Sequence, residues 1–511
     1  MLNNDLHLKN KKYLLIYLAI ICIFTVNFLQ YEDYSSPLFE IAMLIVVFII
    51  GAFSLYYYTQ NENNLHKVAF LIILLFGITC VFITPIDDVS DEQEHFIRSD
   101  IMSTGQLSTN YIQIPNTTEH GYQTIASVTI LGENAEKNVF STDVDDSKID
   151  YKPSYFNSAF SQNPFYSYLP QGLGVLISKL LDLNAIWMLW LGRLFNLLVY
   201  AGLISLSIRK TPILKFPMLI ASIIPLAIYQ AASLSVDGMF AGFGMLAFAY
   251  FLYFYKTPNI KWFDLGIFYG AVILSGLLKS PFLALSLLIF LVPNEHFENK
   301  TQNIISKALI LVTLAVGLVW TNYANSVLAN SWRGEFFATK HVNSTEQIGY
   351  LMSHPSFALE RFSNIFTQFP ITVERFFYFS NDVRDYSSPM LAILYMLFFI
   401  LFSIVYPLDE KFNIRTRVKG LLIGALIYIG VIGVQYLTWA SVGAESVMNG
   451  VFSRYFLPLL IFIPLIVNTD FFEFDKEKLS MIFLTIALSF ISGMIMLTVA
   501  VNILKRNLII I

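Results

Sequence analysis

The chain has 511 residues, of which 56% are hydrophobic, 16% aromatic and 13% charged, with a formal net charge of -4. A mean hydropathy of +0.61 and many apolar runs long enough for ~30 Å of hydrocarbon exclude a soluble domain and a disordered chain. The basic residues are dispersed, not interleaved with aromatics in one patch, so nucleic acid is excluded as a partner.

Apolar runs predict spans near 13–30, 38–58, 67–85, 184–208, 213–234, 237–256, 264–279, 281–293, 307–328, 389–406, 417–438, 453–468 and 479–503. The expected fold is an all-α polytopic membrane protein of about thirteen transmembrane helices. The first run follows Lys9, Lys11 and Lys12 but lacks a small-residue cleavage site before Tyr31-Glu32-Asp33, so it reads as an uncleaved span. Cys22 and Cys80 fall inside spans, which argues against a disulfide framework or a cysteine zinc site.

Short loops carrying Lys67, Arg209, Lys210, Lys215, Lys261, Lys300, Lys411, Arg415, Arg417, Lys419, Lys476 and Lys478 fall on one side, the cytoplasmic one. That places the N-terminus inside and the C-terminus outside; Lys505 and Arg506 disagree mildly. The expected units are N-terminal spans 1–85, a first extracytoplasmic segment 86–183, central spans 184–328, a second extracytoplasmic segment 329–388 and C-terminal spans 389–511.

The first segment opens on an anomaly. Directly after an apolar run, Pro85 to Leu107 gathers Asp87, Asp88, Asp91, Glu92, Glu94, His95 and Arg98. Ser90 and Gln93 have the spacing of a capping box that starts a helix at Asp91, and Gly105 is placed to end it. On that helix Asp91, His95 and Arg98 share a face. The bland alternative is a solvated, capped helix that stops the preceding span.

Further on, alternation in Tyr122–Ile130 predicts a strand or hairpin, and Leu169–Leu183 predicts an interfacial or half-inserted helix. Asn116-Thr-Thr118 matches a glycosylation acceptor, a triplet common by chance. The second segment has helical periodicity over Thr345–Phe366 and carries Arg361, Arg375 and Arg384.

A charge at a span's centre costs roughly 2.5–3.5 kcal/mol, so charges in or beside spans are functional candidates. They are Arg193, Asp237, Lys279 and Arg454; each alone also reads as an end-of-span residue snorkelling to the headgroups. As a group, carboxylates (Asp91, Glu92, Asp237) and cations (Arg98, Arg193, Lys279, Arg454) from distant segments map to the outer half of the membrane. A site there suits an anionic lipid headgroup held near a carboxylate base. No phosphate-binding glycine loop, HExxH or GxSxG is present.

Four segments carry a family resemblance. Asp91-Glu92, His95, Arg98 and Gly105 resemble the "P-x-D-E-x-x-H-x-x-R…G" signature of the DUF2142 family. Tyr168-Leu-Pro170 with Gly192-Arg193, the "S-x-D-G" element in Gln230–Gly238, and Gly450-Val-Phe-Ser-Arg-Tyr-Phe-Leu-Pro458 agree with it in order and spacing, over about 70–470. Extra residues precede the Asp-Glu pair, and Phe452-Ser453 replaces the usual Gln-Gly.

The family is similar to GT-C glycosyltransferases, and that similarity implies roles. The donor would be a polyprenyl-phosphate sugar and the acceptor a cell-envelope polysaccharide or teichoic-acid-type glycan, joined with inversion. Asp91 or Glu92 would be the general base, with His95 orienting or charge-balancing it. Arg98, Arg193, Asp237, Lys279, Arg454 and Tyr455 would hold the donor phosphate and substrate. Some GT-C enzymes place a divalent metal, Mg or Mn, at the acidic pair, which here would be Asp91 and Glu92. A lipid-linked oligosaccharide flippase and a polysaccharide polymerase are the alternatives.

Overall fold

The computed structural model describes residues 2–29, 37–128, 147–375, 377, 389–408, 410, 412–469 and 474–498. The turn at Tyr31-Glu32-Asp33, the end of the predicted strand at Ile130, and Arg384, Lys411, Lys505 and Arg506 lie outside the described residues.

In chain order the helices are α1 (Leu2–Leu29), α2 (Pro37–Gln60), α3 (Leu65–Ile83), α4 (Glu92–Ser103), α5 (Leu169–Leu180), α6 (Ile186–Lys210), α7 (Lys215–Ser222), α8 (Pro225–Ala231), α9 (Asp237–Lys256) and α10 (Trp262–Leu278). They continue as α11 (Lys300–Ala329), α12 (Trp332–Thr339), α13 (Ser344–Ser353), α14 (Pro355–Thr367), α15 (Phe369–Arg375), α16 (Pro389–Val405), α17 (Ile414–Trp439), α18 (Phe462–Val467) and α19 (Lys476–Thr498). Among the described residues, 7 helices are long and apolar enough to cross a membrane: Glu40–Gln60, Glu62–Ile83, α6, α9, α11, α17 and α19. The chain is a mostly helical, multi-pass membrane protein.

Local chemistry explains where the predicted spans are broken. The run 213–234 is two short helices, α7 and α8. Pro225 supplies no N–H and pushes Ile224 into an extended conformation (φ -61, ψ 146). Both pieces are buried, so neighbouring helices rather than lipid surround the break. The predicted helix over Thr345–Phe366 is likewise divided at Pro355, into α13 and α14.

The run after Lys279 is wound as a 3-10 helix, Ser280–Leu291. At about 2.0 Å per residue, its 12 residues reach ~24 Å, further than an α-helix of that length. It packs closely because Gly276 on α10 and Gly317 on α11 leave room for Leu283; a Cβ at either glycine would collide with that side chain. A second 3-10 helix, Ser453–Ile461, leads into α18.

The segment 86–183 has its own small core. Strands β1 (Tyr111–Gln113), β2 (His120–Thr124) and β3 (Ser154–Phe156) form an antiparallel 3-stranded sheet in the order β1-β2-β3, with Tyr111 opposite Tyr122 and Tyr122 opposite Phe156. Of the expected strand Tyr122–Ile130, residues 122–124 lie in β2, and 125–128 leave the sheet. Phe96, Ile97 and Ile101 of α4, Tyr122, Val175 of α5 and Leu189 of α6 bury together. Helix α5 exposes Leu169, Leu173 and Leu180 on its other side. At its buried side Gly174 meets the backbone of Leu191.

Candidate functional site

The acidic stretch is built differently from its sequence pattern. Helix α4 starts at Glu92, and the capping bond comes from Asp87, not Ser90: Asp87 Oδ1 accepts from the Gln93 N–H at 2.8 Å. Asp91 is the residue before the helix, in the left-handed region at φ +63, and its side chain makes no capping bond. Asp tolerates that conformation better than most residues. The end is as expected: Gly105 has φ +84 and its N–H bonds Met102 at 3.0 Å.

Nor is α4 a solvated stop. Glu92, His95, Arg98, Ser99 and Asp100 are all buried. Asp100 is tied to Lys179 of α5 at 2.5 Å and to the Ile125 N–H at 3.2 Å, which fixes the sheet segment to the helix.

Glu92 and Arg193 form a closed pair. Arg193 donates from Nε and Nη2 to the two Glu92 oxygens at 2.8 and 2.5 Å. Its remaining N–H groups go to the carbonyls of Val81, Thr84 and Pro85 at 3.1, 2.9 and 3.0 Å. Every guanidinium donor is used on Glu92 and on the end of α3, where orphan carbonyls and the helix dipole both favour a cation. Glu92 Oε1 also accepts from the Leu234 N–H at 3.2 Å.

A metal at the acidic pair therefore fails the fit. Both Glu92 oxygens are committed to Arg193, and Glu92 does not line the cavity that Asp91 lines. No group of three His, Cys, Asp or Glu side chains able to hold an ion is found among the described residues.

Arg98 is also placed apart. It donates to the carbonyls of Leu107 at 2.7 Å and Gln106 at 3.5 Å, and its guanidinium lies over the Tyr168 ring at 5.4 Å. It closes the turn made by Gly105.

The other candidates converge. Asp91, His95, Asp237, Lys279, Arg454 and Tyr455 line one cavity of about 880 Å³. Asp237, at the start of α9, accepts from Arg454 Nε at 2.8 Å and Ser235 Oγ at 3.2 Å, and Lys279 Nζ stands 4.0 Å away. Arg454 Nη2 reaches Asp91 Oδ2 at 3.5 Å. Lys279 sits 3.5 Å over the Tyr455 ring, and Arg454 lies 4.1 Å from the Phe452 ring centre. Both cations come from breaks in apolar segments: Lys279 has an extended backbone between α10 and the 3-10 helix, and Arg454 opens the second 3-10 helix.

Asp91 is the open group, its side chain 42% exposed against 5% for Asp237. His95 is enclosed. Burial, helped by Arg454, Lys279 and Arg333 and opposed by Asp237, holds its pKa down to about 3. Part of the remaining wall is apolar, with Leu277, Trp320, Leu328, Val431 and Val434 from α10, α11 and α17; polar side chains such as Asn325, Glu346 and Gln435 line the rest. Helix α11 exposes Leu311, Leu318 and Val319 on its outer side, so this wall backs onto a lipid-facing helix.

Among the lining residues that the sequence does not single out, with His341 and Glu346, is Arg333 on α12. Next to Trp332 at the end of a long apolar run, it has the pattern of an ordinary interfacial anchor, and only the fold turns it inward. No curated protein and no solved structure matches the chain. The family model described as "Predicted membrane protein (DUF2142)" matches residues 74–463, which include the cavity residues from Asp91 to Tyr455; the chain belongs to that family.

Proposed function

We propose that the protein is a GT-C-type membrane glycosyltransferase that moves a sugar from a polyprenyl-phosphate carrier to a cell-envelope glycan or teichoic-acid-type acceptor. One observation carries the reading: an open carboxylate, Asp91, shares a cavity with two cations, Lys279 and Arg454, and with an apolar wall. A phosphate with a sugar on one side and an isoprenoid chain on the other needs those three surroundings together.

Asp91 acts as general base and takes the proton of the acceptor hydroxyl. The hydroxyl oxygen bonds to the anomeric carbon as the bond from that carbon to the phosphate oxygen breaks in line, which inverts the centre. The carrier leaves as polyprenyl phosphate, its charge met by Lys279 and Arg454. Asp237 holds the two cations in position, and Tyr455 supports Lys279. His95, neutral, serves as a hydrogen-bonding group. Glu92 and Arg193 belong to architecture in this reading. About thirteen crossings with the N-terminus in the cytoplasm put the cavity on the outer face of the cytoplasmic membrane.

Purified protein in nanodiscs, given labelled polyprenyl-phosphate sugars and acceptor glycan, tests it. Asp91→Asn is expected to lower transfer by about 10²–10⁴-fold; full transfer by that variant sinks the assignment. The broken segments at Lys279 and Arg454 favour a second reading, a flippase for lipid-linked saccharide, since discontinuous helices mark transport sites. Movement of the lipid across liposomes without covalent transfer selects it.

A further inference from the structure

One wall of the cavity enters this chemistry only through His95. Phe160 stands there with φ +41, an outlier for a bulky aromatic residue; such strain persists where the surroundings over-determine it. Its ring lies between two polar groups, the His95 ring at 4.6 Å and the Arg333 guanidinium at 5.1 Å.

Arg333 is only 7% exposed, yet its Nε has no hydrogen-bond partner and it makes no ion pair among the described residues. Phe160, Trp332 and Trp439 pack against the guanidinium, the last two at 5.4 and 5.0 Å. Glu94 and Asp91 are the nearby carboxylates that support its charge, against burial, which pushes its pKa down. The guanidinium sits over these three rings and lines the cavity, and its N–H groups match phosphate oxygens.

His95 Nδ1 is 2.8 Å from the Tyr168 oxygen, which also accepts from Asn163 Nδ2 at 3.0 Å. With Tyr168 donating its proton to Nδ1, the ring proton resides on Nε2. Among the described residues Nε2–H has no protein acceptor, and the ring lines the cavity.

We infer that His95, Phe160 and Arg333 form an anion-recognition wall for a phosphate group, with His95 Nε2–H and the Arg333 guanidinium as donors and Phe160 as the spacer between them. The ligand class, a lipid-borne phosphate ester, rests on the reading of the cavity given above; the donor arrangement does not. The wall also gives the segment carrying α12 a direct part in ligand binding.

The test is equilibrium binding in nanodiscs of farnesyl phosphate, farnesol and inorganic phosphate. Arg333→Gln is expected to weaken farnesyl phosphate about 10-fold or more and leave farnesol unchanged, with Arg333→Lys recovering part of the loss. His95→Leu is expected to weaken it as well, and His95→Gln, which keeps an N–H near the Nε2 position, to recover most of that affinity. Farnesyl phosphate affinity within about twofold of wild type in Arg333→Gln, or equal losses for farnesol and farnesyl phosphate, overturns the inference. Competition by inorganic phosphate supports the wall as a site for the phosphate alone. Its failure to compete, with Arg333 dependence intact, supports a site that needs the lipid as well. Wild-type protein that binds farnesyl phosphate through Arg333 but transfers no sugar sinks the transferase reading and leaves this wall standing.

Discussion

Two clusters of the same residue types start from adjacent carboxylates, Glu92 and Asp91, and end in opposite surroundings. Around Arg193, a cation and the Glu92 carboxylate are fully buried, and every donor of the guanidinium is satisfied by the chain itself. Around Arg454, the carboxylates Asp237 and Asp91 lie at 2.8 and 3.5 Å, Lys279 stands 4.0 Å from Asp237, and the group faces an open cavity. An expensive charge in a membrane protein is thus not by itself a functional residue. What separates the clusters is access: the guanidinium of the first is wrapped by the chain on every donor, and the second, with Arg333, lines the cavity.

The largest expected effect is on the saturated cluster. Arg193→Leu leaves Glu92 as an uncompensated buried charge and releases the carbonyls at the end of α3, a loss of about 3–5 kcal/mol. Thermal unfolding and yield of monodisperse protein in detergent report it. Glu92→Gln leaves Arg193 uncompensated and is expected to lower stability in the same direction. Asp91→Asn, at an open position, is expected to stay within about 0.5 kcal/mol of wild type. If Glu92→Gln melts like wild type and behaves as Asp91→Asn does in the transfer assay, the contrast between the clusters collapses.

Much of this arrangement was legible in the sequence, for reasons that also mark its limits. Apolar length and the rarity of charge placed the long helices and singled out Asp237, Lys279 and Arg454, because a charge beside a span stands out against an apolar background. Gly105 was readable because a helix stop needs local chemistry alone. The choice between Asp91 and Glu92 was not readable. Adjacent residues on a helix start point in different directions, and only the position of α6 decides that Glu92 meets Arg193. Arg98 misled for a related reason: sharing a face with His95 on a helical wheel does not say that the carbonyls of Gln106 and Leu107 fold back to meet it. Arg333 lay in a segment whose arginines look alike in sequence, and its role depends on three rings from three different places.

A smaller effect separates the clusters by pH. His95 faces Asp237, Arg454, Lys279 and Arg333 and stays neutral in the fold down to about pH 3, against an ordinary value of 6.5. Below 6.5 the unfolded chain takes a proton that the folded chain refuses, so the unfolded state binds more protons and stability falls as pH falls. Between pH 6.5 and 5 the loss is about 2 kcal/mol. His95→Gln is expected to remove that part of the slope and leave the rest, as read by unfolding midpoints across the window. Equal slopes in the two proteins would mean that the cavity already accommodates a charged imidazole.

Gly105 provides the finest test, because it links local backbone to both sides of the comparison. At φ +84, with nothing within 4 Å of an added Cβ, Gly105→Ala meets no steric clash and suffers only the left-handed backbone penalty, about 1 kcal/mol. If the turn merely ends α4, that cost is independent of Arg98. If the turn exists to present the Gln106 and Leu107 carbonyls to Arg98, and through the Tyr168 ring to steady His95, the two positions are coupled. A double-mutant cycle of Gly105→Ala with Arg98→Gln is then expected to show about 0.5 kcal/mol or more of interaction energy. Strict additivity would assign Arg98 to the turn alone and leave the His95 tautomer to Asn163 and Tyr168.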